Sequence, residues 1–261
     1  MSARKRARRP EQRQDQIAQL VLTKGSASAQ ELAAEFRVSL NTVHRDLDEL
    51  ERQGVVRKFH GGASAEPSGM FEANIAYRLK RMVPQKRIVA RHAARYIEPG
   101  MSVMIDDSTT TMQVLPFMAR IGPLQLVTNH LEVMRQASAL KGIHLMALGG
   151  DYDPLHDSFL GVMCMECIAS LRVDATFIST SAVSGGDAFH QEQRVVSFKR
   201  AMLDVAAKRY LLIDHSKLGR RALHRLVPLS TFDLVIVDDG APREALAELD
   251  NHQVRYEVAD S

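Results

Sequence analysis

The stretch Val38-Ser39-Leu40-Asn41-Thr42-Val43-His44-Arg45-Asp46-Leu47-Asp48-Glu49-Leu50-Glu51 decides how the chain begins to fold. Val43, Leu47 and Leu50 recur at i, i+4 and i+7, which lines them along one side of a helix, and Ser39 just ahead offers a side-chain oxygen to cap its first turn. The opposite side carries Asn41, Thr42, His44, Arg45 and Asp48. Donors gathered near a helix N-terminus suit the major groove: Asn pairs with adenine edges, Arg with guanine or phosphate, Thr with a phosphate or a thymine methyl. The plain alternative is a solvated amphipathic helix, and the flanking sequence argues against it.

Upstream, Ile17, Leu20 and Val21 follow helical spacing from about Pro10, and Gly25 stops that helix after Lys24. Ser28-Ala29-Gln30-Glu31 then matches a capping box, and Leu32, Ala33 and Phe36 give a second helix its buried side. Two short helices joined this tightly predict a helix-turn-helix. Downstream, Gly54 is expected to end the third helix, and Val55 to His60 reads as a short strand entering the Gly61-Gly62 turn, a wing. Ser28, Arg57, Lys58 and His60 join Ser39, Asn41, Thr42, His44 and Arg45 as expected DNA contacts. The wing residues are placed on phosphates, which position a reader without reading sequence. Asp46 is expected to make a structural bond to a neighbouring Arg.

Charge supports this reading. Residues 1–62 carry 12 Lys and Arg against 8 Asp and Glu, while the remaining 199 carry 22 against 23. A cation surplus on one small module favours a polyanion, because neutralised phosphates release counterions. Hydrophobic residues at 45% and charged residues at 25% describe a globular chain with a real core. No run approaches the roughly 20 apolar residues of a membrane span, and the basic start has no apolar signal core behind it, so the cytoplasm is the expected compartment. Residues 1–9 are expected to be a basic disordered tail, 10–63 the winged helix-turn-helix, 64–70 a linker and 71–261 a second domain.

In that second domain, expected helices (71–80, 84–97, 109–118, 130–140, 161–171, 192–208) alternate with apolar runs (103–105, 124–127, 143–148, 175–178, 210–213, 234–237). The fold class is therefore α/β with a largely parallel sheet, in which ligands bind at the carboxyl ends of strands. After the first run come Asp106-Asp107-Ser108-Thr109-Thr110-Thr111, hydroxyls and amides expected at a helix N-terminus, where a phosphate is favoured. The competing reading is an ordinary Ser/Thr cap, since no glycine-rich P-loop is present. Other strand ends offer Asn129, Gly149, Gly150, and Asp214 with Lys217; Lys199 is a further cation able to meet a phosphate or a sugar oxygen.

Taken together, Val38 to Glu51, Gly54 and His60-Gly61-Gly62-Ala63 resemble the winged helix-turn-helix of DeoR-family regulators of sugar metabolism. His44 stands where that family usually has the first of two arginines. The resemblance continues through Asp106 with Thr109-Thr110, Thr128-Asn129, Gly149-Gly150, Ser197 to Met202, and Asp214 with Ser216-Lys217. Ser108 replaces a loop glycine and Phe198 the usual valine. The resemblance implies an effector domain similar in fold to ribose-5-phosphate isomerase and a phosphorylated sugar as effector. It also implies a repressor that releases double-stranded operator DNA when the effector binds.

Two other functions fit parts of the chain. Asp106, Asp187, Glu192 and Asp214 are candidate general bases for an aldose-ketose isomerase with Lys217 polarising the substrate, but an isomerase has no use for a DNA reader. Activation in place of repression is the other. Paired operator half-sites lead to an expected homodimer or homotetramer. No catalytic residue, cofactor or metal is expected; Cys164 and Cys167 lack a second Cys/His pair at zinc spacing and are read as buried thiols, with a redox switch as the lesser option.

Overall fold

Val43, Leu47 and Leu50 are buried as their spacing predicts, packed with Ile17, Val21 and Leu32 into one core. The structure, a computed structural model, describes residues 10–52, 55–65 and 75–260. The chain divides into one unit up to Tyr77 and a second from Arg78 onward. The first holds α1 (Pro10–Lys24), β1 (Ser26–Ser28), α2 (Ala29–Phe36), α3 (Leu40–Arg52), β2 (Val56–Phe59) and β3 (Gly62–Ala65). The capping box forms: the Glu31 N–H donates to Ser28 Oγ at 3.1 Å, and the Ser28 N–H donates to Glu31 Oε2 at 2.8 Å.

β3 pairs antiparallel with both β1 and β2. β1 was not foreseen, because Ser-Ala-Ser carries no alternation and becomes a strand only through its partner. β3 also takes in Ala63 to Ala65, so the first residues of the expected linker belong to the wing. Gly62 is required there: a Cβ at that position would stand 2.4 Å from the Ala27 carbonyl oxygen. The basic tail at 1–9, the helix stop at Gly54 and the linker residues 66–70 lie outside the described residues, as do 71–74 of the expected helix 71–80.

In the second unit a seven-stranded sheet runs in the order β15-β14-β12-β9-β4-β5-β6. Its members are β4 (Ser102–Ile105), β5 (Leu124–Thr128), β6 (Ile143–Ala147), β9 (Val173–Ile178), β12 (Ala206–Ile213), β14 (Leu234–Asp238) and β15 (Tyr256–Ala259). Every neighbouring pair is parallel. Alternate residues feed two cores. Val103, Ile105, Phe177 and Leu212 pack with α5 (Val83–Ala93), α6 (Leu115–Ile121) and α7 (Leu131–Ala137). Met104, Ile178, Leu211 and Ile213 pack with α8 (Val162–Ala169), α9 (Gln193–Asp204) and α10 (Arg243–Asn251). Helices on both faces let near-continuous apolar strands be buried on both sides.

Three boundaries differ from expectation. The helix expected over 84–97 gives way to a 3-10 turn at Ala94–Tyr96. The one expected over 109–118 is a 3-10 turn, Thr111–Val114, leading into α6. The one expected to reach Lys208 stops at Asp204, because Ala206 already pairs with Val173. The hairpin of β7 (Asp151–Asp153) and β8 (Ser158–Leu160), and a small antiparallel sheet of β10 (Ala182–Ser184), β11 (Asp187–His190) and β13 (His224–Pro228), complete the unit. No helix among the described residues is long and apolar enough to cross a membrane.

Candidate nucleic-acid interface and effector crevice

α3 presents Asn41, His44, Arg45 and Asp48 to solvent. Ser39 caps it, accepting from the Thr42 N–H at 3.2 Å, and the two hydroxyls lie 2.9 Å apart. Asp46 on the buried side accepts from Arg13 of α1 at 2.6 and 3.1 Å and from Gln14 at 3.0 Å. That is the structural bond to an Arg foreseen for it, made across 33 residues. Lys58 is partly withdrawn from any phosphate. Its ammonium contacts the Asp48 carboxylate, and its backbone N–H donates to Glu51 at 2.7 Å, latching the wing to α3. Arg57 and His60 remain exposed, while the Ser28 hydroxyl is occupied by its cap.

In the second unit, β4 and β9 are neighbours, but the chain leaves them toward opposite edges of the sheet. Such a switch point opens a crevice beyond the strand ends. Asp106 follows β4 and Ser179 follows β9; the Ser179 N–H donates to Asp106 Oδ2 at 2.9 Å, tying the two sides together. Asp106 Oδ1 accepts from Thr111 Oγ1 at 2.6 Å and from the Ser108 N–H at 3.1 Å. Lys199 of α9, 1% exposed, contacts Asp106 and lies 3.3 Å from Asp107.

Burial would raise the Asp107 carboxyl, but Lys199 first, then His156, Arg78 and His190, hold it well below the usual carboxylate range. Asp106, Ser108, Thr111 and Lys199 therefore occupy one another. The Thr111 N–H is also taken, by Ser108 Oγ at 3.2 Å, and the loop meets a 3-10 turn rather than the expected α-helical N-terminus.

At the other strand ends, Asp214 accepts from the Ser216 N–H at 3.1 Å. Burial opposes its charge, while Lys217, Ser216 and Lys86 together hold its pKa below the ordinary value. Gly149 has open space around it. Gly150 has φ +145° and no room for a Cβ, which would lie 2.4 Å from the Leu160 carbonyl oxygen. Thr110 is buried beside Thr109.

Two cations that the sequence reading passed over complete the crevice. Lys86 of α5 is 5% exposed and donates to the Arg78 carbonyl at 2.6 Å and to Thr109 Oγ1 at 2.9 Å. Burial pushes it down to about 7; Asp214 counters, while Lys217, Arg78 and Arg81 push the same way as burial. Arg78 of α4 (Ile75–Lys80) points Nη1 at the Asp107 carbonyl at 3.5 Å. Its Nε and Nη2 are buried with no hydrogen-bond partner among the described residues.

Asn129 donates to the Phe159 carbonyl at 3.0 Å but leaves Oδ1 unpartnered, and His130 Nε2 is unpartnered as well. His130 Nδ1 accepts from the Val133 N–H at 3.2 Å, so the ring proton is assigned to Nε2, a buried donor without an acceptor. Burial lowers its pKa and keeps the ring neutral. Each such group costs about 1–3 kcal/mol while unmet. Arg78 and Asp107 both act electrostatically on His130, the residue after Asn129, so two guanidinium donors, an imidazole donor and an amide acceptor fall in one region of the strand ends, a set of groups suited to an anion that also carries hydroxyls. One signal for Lys86 was present in the sequence: with Val89, Ala90 and Ala93 it lies at i, i+3, i+4 and i+7, on the buried side of α5.

The two cysteines lie on α8 with free thiols, Cys164 buried and Cys167 partly so. Burial pushes the Cys164 thiol up to about 12, which disfavours the thiolate that redox chemistry needs.

Among solved structures, the ribose 5-phosphate isomerase of Plasmodium falciparum overlaps 51% of this chain and 51% of its own with a TM-score of 0.37 at 16% identity, too slight an overlap to say anything of activity. Curated relatives match over far more of the chain. The glycerol-3-phosphate regulon repressor of Escherichia coli is 29% identical, over 95% of this chain and 98% of its own. The lactose phosphotransferase system repressor of Staphylococcus epidermidis is 30% identical, over 87% and 92%. A DeoR-like helix-turn-helix domain matches residues 13–68 and a DeoR C terminal sensor domain matches 81–239. The chain, a winged helix-turn-helix followed by a parallel α/β sensor, thus belongs to the DeoR family of transcriptional regulators.

Proposed function

We propose that the chain represses a carbohydrate-metabolism operon and releases its operator when a phosphorylated sugar or related polyol phosphate enters the crevice between the ends of β4 and β9. The observation that carries this reading is the Arg78 guanidinium, two of whose nitrogens are buried without a partner among the described residues, with its backbone carbonyl held by Lys86 and its charge felt at His130, next to Asn129, whose Oδ1 is also unmet. A phosphate supplies acceptors to Arg78 and Lys86, and sugar hydroxyls answer Asn129 Oδ1 and His130 Nε2. Thr109, Thr110, Gly149, Asp214 and Lys217 line the same strand ends. Asp106, Ser108, Thr111 and Lys199 act as the rigid base on which the loop is built. The names of the two repressors, one for a glycerol-3-phosphate regulon and one for a lactose phosphotransferase system, favour this class of ligand.

Asn41, Thr42 and Arg45 are the readers in this account, with His44 adjusting operator choice and Arg57 and His60 on phosphates. A homodimer or homotetramer in the cytoplasm would read two half-sites. The test is a thermal-shift and operator-binding screen of the full chain against phosphorylated sugars and their unphosphorylated parents. Stabilisation and operator release by phosphorylated members alone are expected. Stabilisation by the parents with equal strength, or by none of the panel, refutes the assignment; release replaced by tightening refutes ligand-induced derepression and makes the ligand a co-repressor.

A further inference from the structure

His156 is almost entirely buried, yet neither ring nitrogen has a hydrogen-bond partner among the described residues. A buried imidazole with both nitrogens unmet demands a cause. Nδ1 faces Asp153 Oδ2 at 3.5 Å and Nε2 faces Glu192 Oε1 at 3.5 Å, both beyond a normal hydrogen bond. One donor atom from each of the three residues lies within 4.8 Å of the other two.

The neighbours leave these atoms uncommitted. Asp153 spends Oδ1 on the N–H groups of Leu155 and His156, at 2.9 and 3.4 Å, which fixes the carboxylate and leaves Oδ2 toward the ring. Glu192 stands at the N-cap of α9 without using its side chain as a cap. We propose that Asp153, His156 and Glu192 bind a divalent transition-metal ion, clipping the β7–β8 hairpin to the start of α9.

The donor set is one imidazole and two carboxylates, which suits zinc among borderline cations and leaves a fourth position for water or a ligand oxygen. With ion–donor distances of about 2.1 Å, a tetrahedron has edges of about 3.4 Å, close to the 3.5 Å between His156 Nδ1 and Asp153 Oδ2, whereas Glu192 now faces the other ring nitrogen, Nε2. Rotation of the Glu192 side chain, 32% exposed, brings the third donor in. The absence of a metal from the sequence expectation rested on Cys and His spacing, which says nothing about a carboxylate-rich set assembled from a hairpin and a helix cap.

The experiment uses the full chain stripped with a chelator and titrated with zinc against a chromophoric competitor at neutral pH. One equivalent per chain is expected. Glu192→Gln and Asp153→Asn, both checked for folding by circular dichroism, should weaken it by more than the roughly 10–100-fold that losing an outer-shell partner costs. The paired Cys164→Ser and Cys167→Ser variant should keep the equivalent, and cobalt in place of zinc should show no thiolate charge-transfer band. Absence of the equivalent overturns the proposal. So does an equivalent that survives Glu192→Gln and disappears with the cysteines. Neither result bears on whether phosphorylated sugars stabilise the protein, so the effector assignment stands or falls separately.

Discussion

Replacing Lys86 with methionine should make the second unit more stable and blind to its ligand. In the folded chain burial and neighbouring cations bring Lys86 down to about 7 from the ordinary 10.5. At pH 7 that difference corresponds to a cost of about 4–5 kcal/mol for holding the side chain there, at 1.36 kcal/mol per tenfold change in proton affinity. Methionine fills a similar volume without the charge. Against the gain, two hydrogen bonds disappear, to the Arg78 carbonyl and to Thr109 Oγ1, each worth about 1 kcal/mol with some further cost for acceptors left unmet. The net is a stabilisation of about 2 kcal/mol. For a unit of this size that is a rise in Tm of roughly 4–8 °C. Calorimetry on full-length wild type and Lys86→Met reads the change directly, and the same samples with the phosphorylated ligand found by screening should show stabilisation only in wild type. A lower Tm in the variant refutes the energetic reasoning, and a full ligand response refutes the placement of the phosphate.

The same group sets a pH dependence. Between about 7 and 10.5 the unfolded chain holds a proton on Lys86 that the folded chain lacks, so the unliganded unit should gain stability as pH rises through that window, and Lys86→Met should not. An anionic ligand favours the protonated form, so its affinity should fall by up to about tenfold per pH unit above 7, with the slope absent in Lys86→Arg by calorimetric titration. Arg45→Ala should abolish operator binding in a fluorescence-anisotropy assay while leaving ligand-induced stabilisation intact; loss of both breaks the division of labour between the units. Asp46→Asn leaves Arg13 without its charged partner and should destabilise the first unit by about 3 kcal/mol, read as an earlier first transition with the second unit's transition unmoved.

Legibility in the sequence followed the local signals. The third helix could be read because cap, apolar register and donor-rich side all fall within 13 residues, and the central strands because they are short apolar runs buried on both faces. Elements that exist only through their partners could not. Ser26–Ser28 and Asp151–Asp153 carry no strand pattern and owe their state to β3 and β8. Ala206 reads as helix until its pairing with Val173 is known. The crevice was half legible for a similar reason. Asp106 and Lys199 were recognisable as chemistry-bearing residues, but their contact with each other joins positions 93 apart and has no local signal. Arg78 and Lys86 lay in the basic run Arg78 to Arg87, where register alone distinguishes a buried cation from solvated ones.

Where Arg78 sits in the chain suggests how the ligand is felt by the DNA reader. It is the first residue of the second unit, directly after the boundary at Tyr77, and Lys86 holds its carbonyl. A phosphate gripping both would order the start of the second unit at the segment through which the chain arrives from the first. Any such coupling is reciprocal: if a ligand weakens operator binding by some factor, saturating operator must weaken ligand binding by the same factor. For repression to be lifted usefully that factor should be about 5–150. Titrating ligand into the free protein and into its operator complex, and operator into apo and liganded protein, gives the factor twice. Equal factors close the cycle and give the coupling free energy, and a factor of 1 would mean that the crevice is not coupled to the DNA reader. A ligand that changes operator affinity while its own affinity is indifferent to operator would leave the cycle open, which neither coupling nor competition can do, and would mean that different ligand-bound species are present in the two assays.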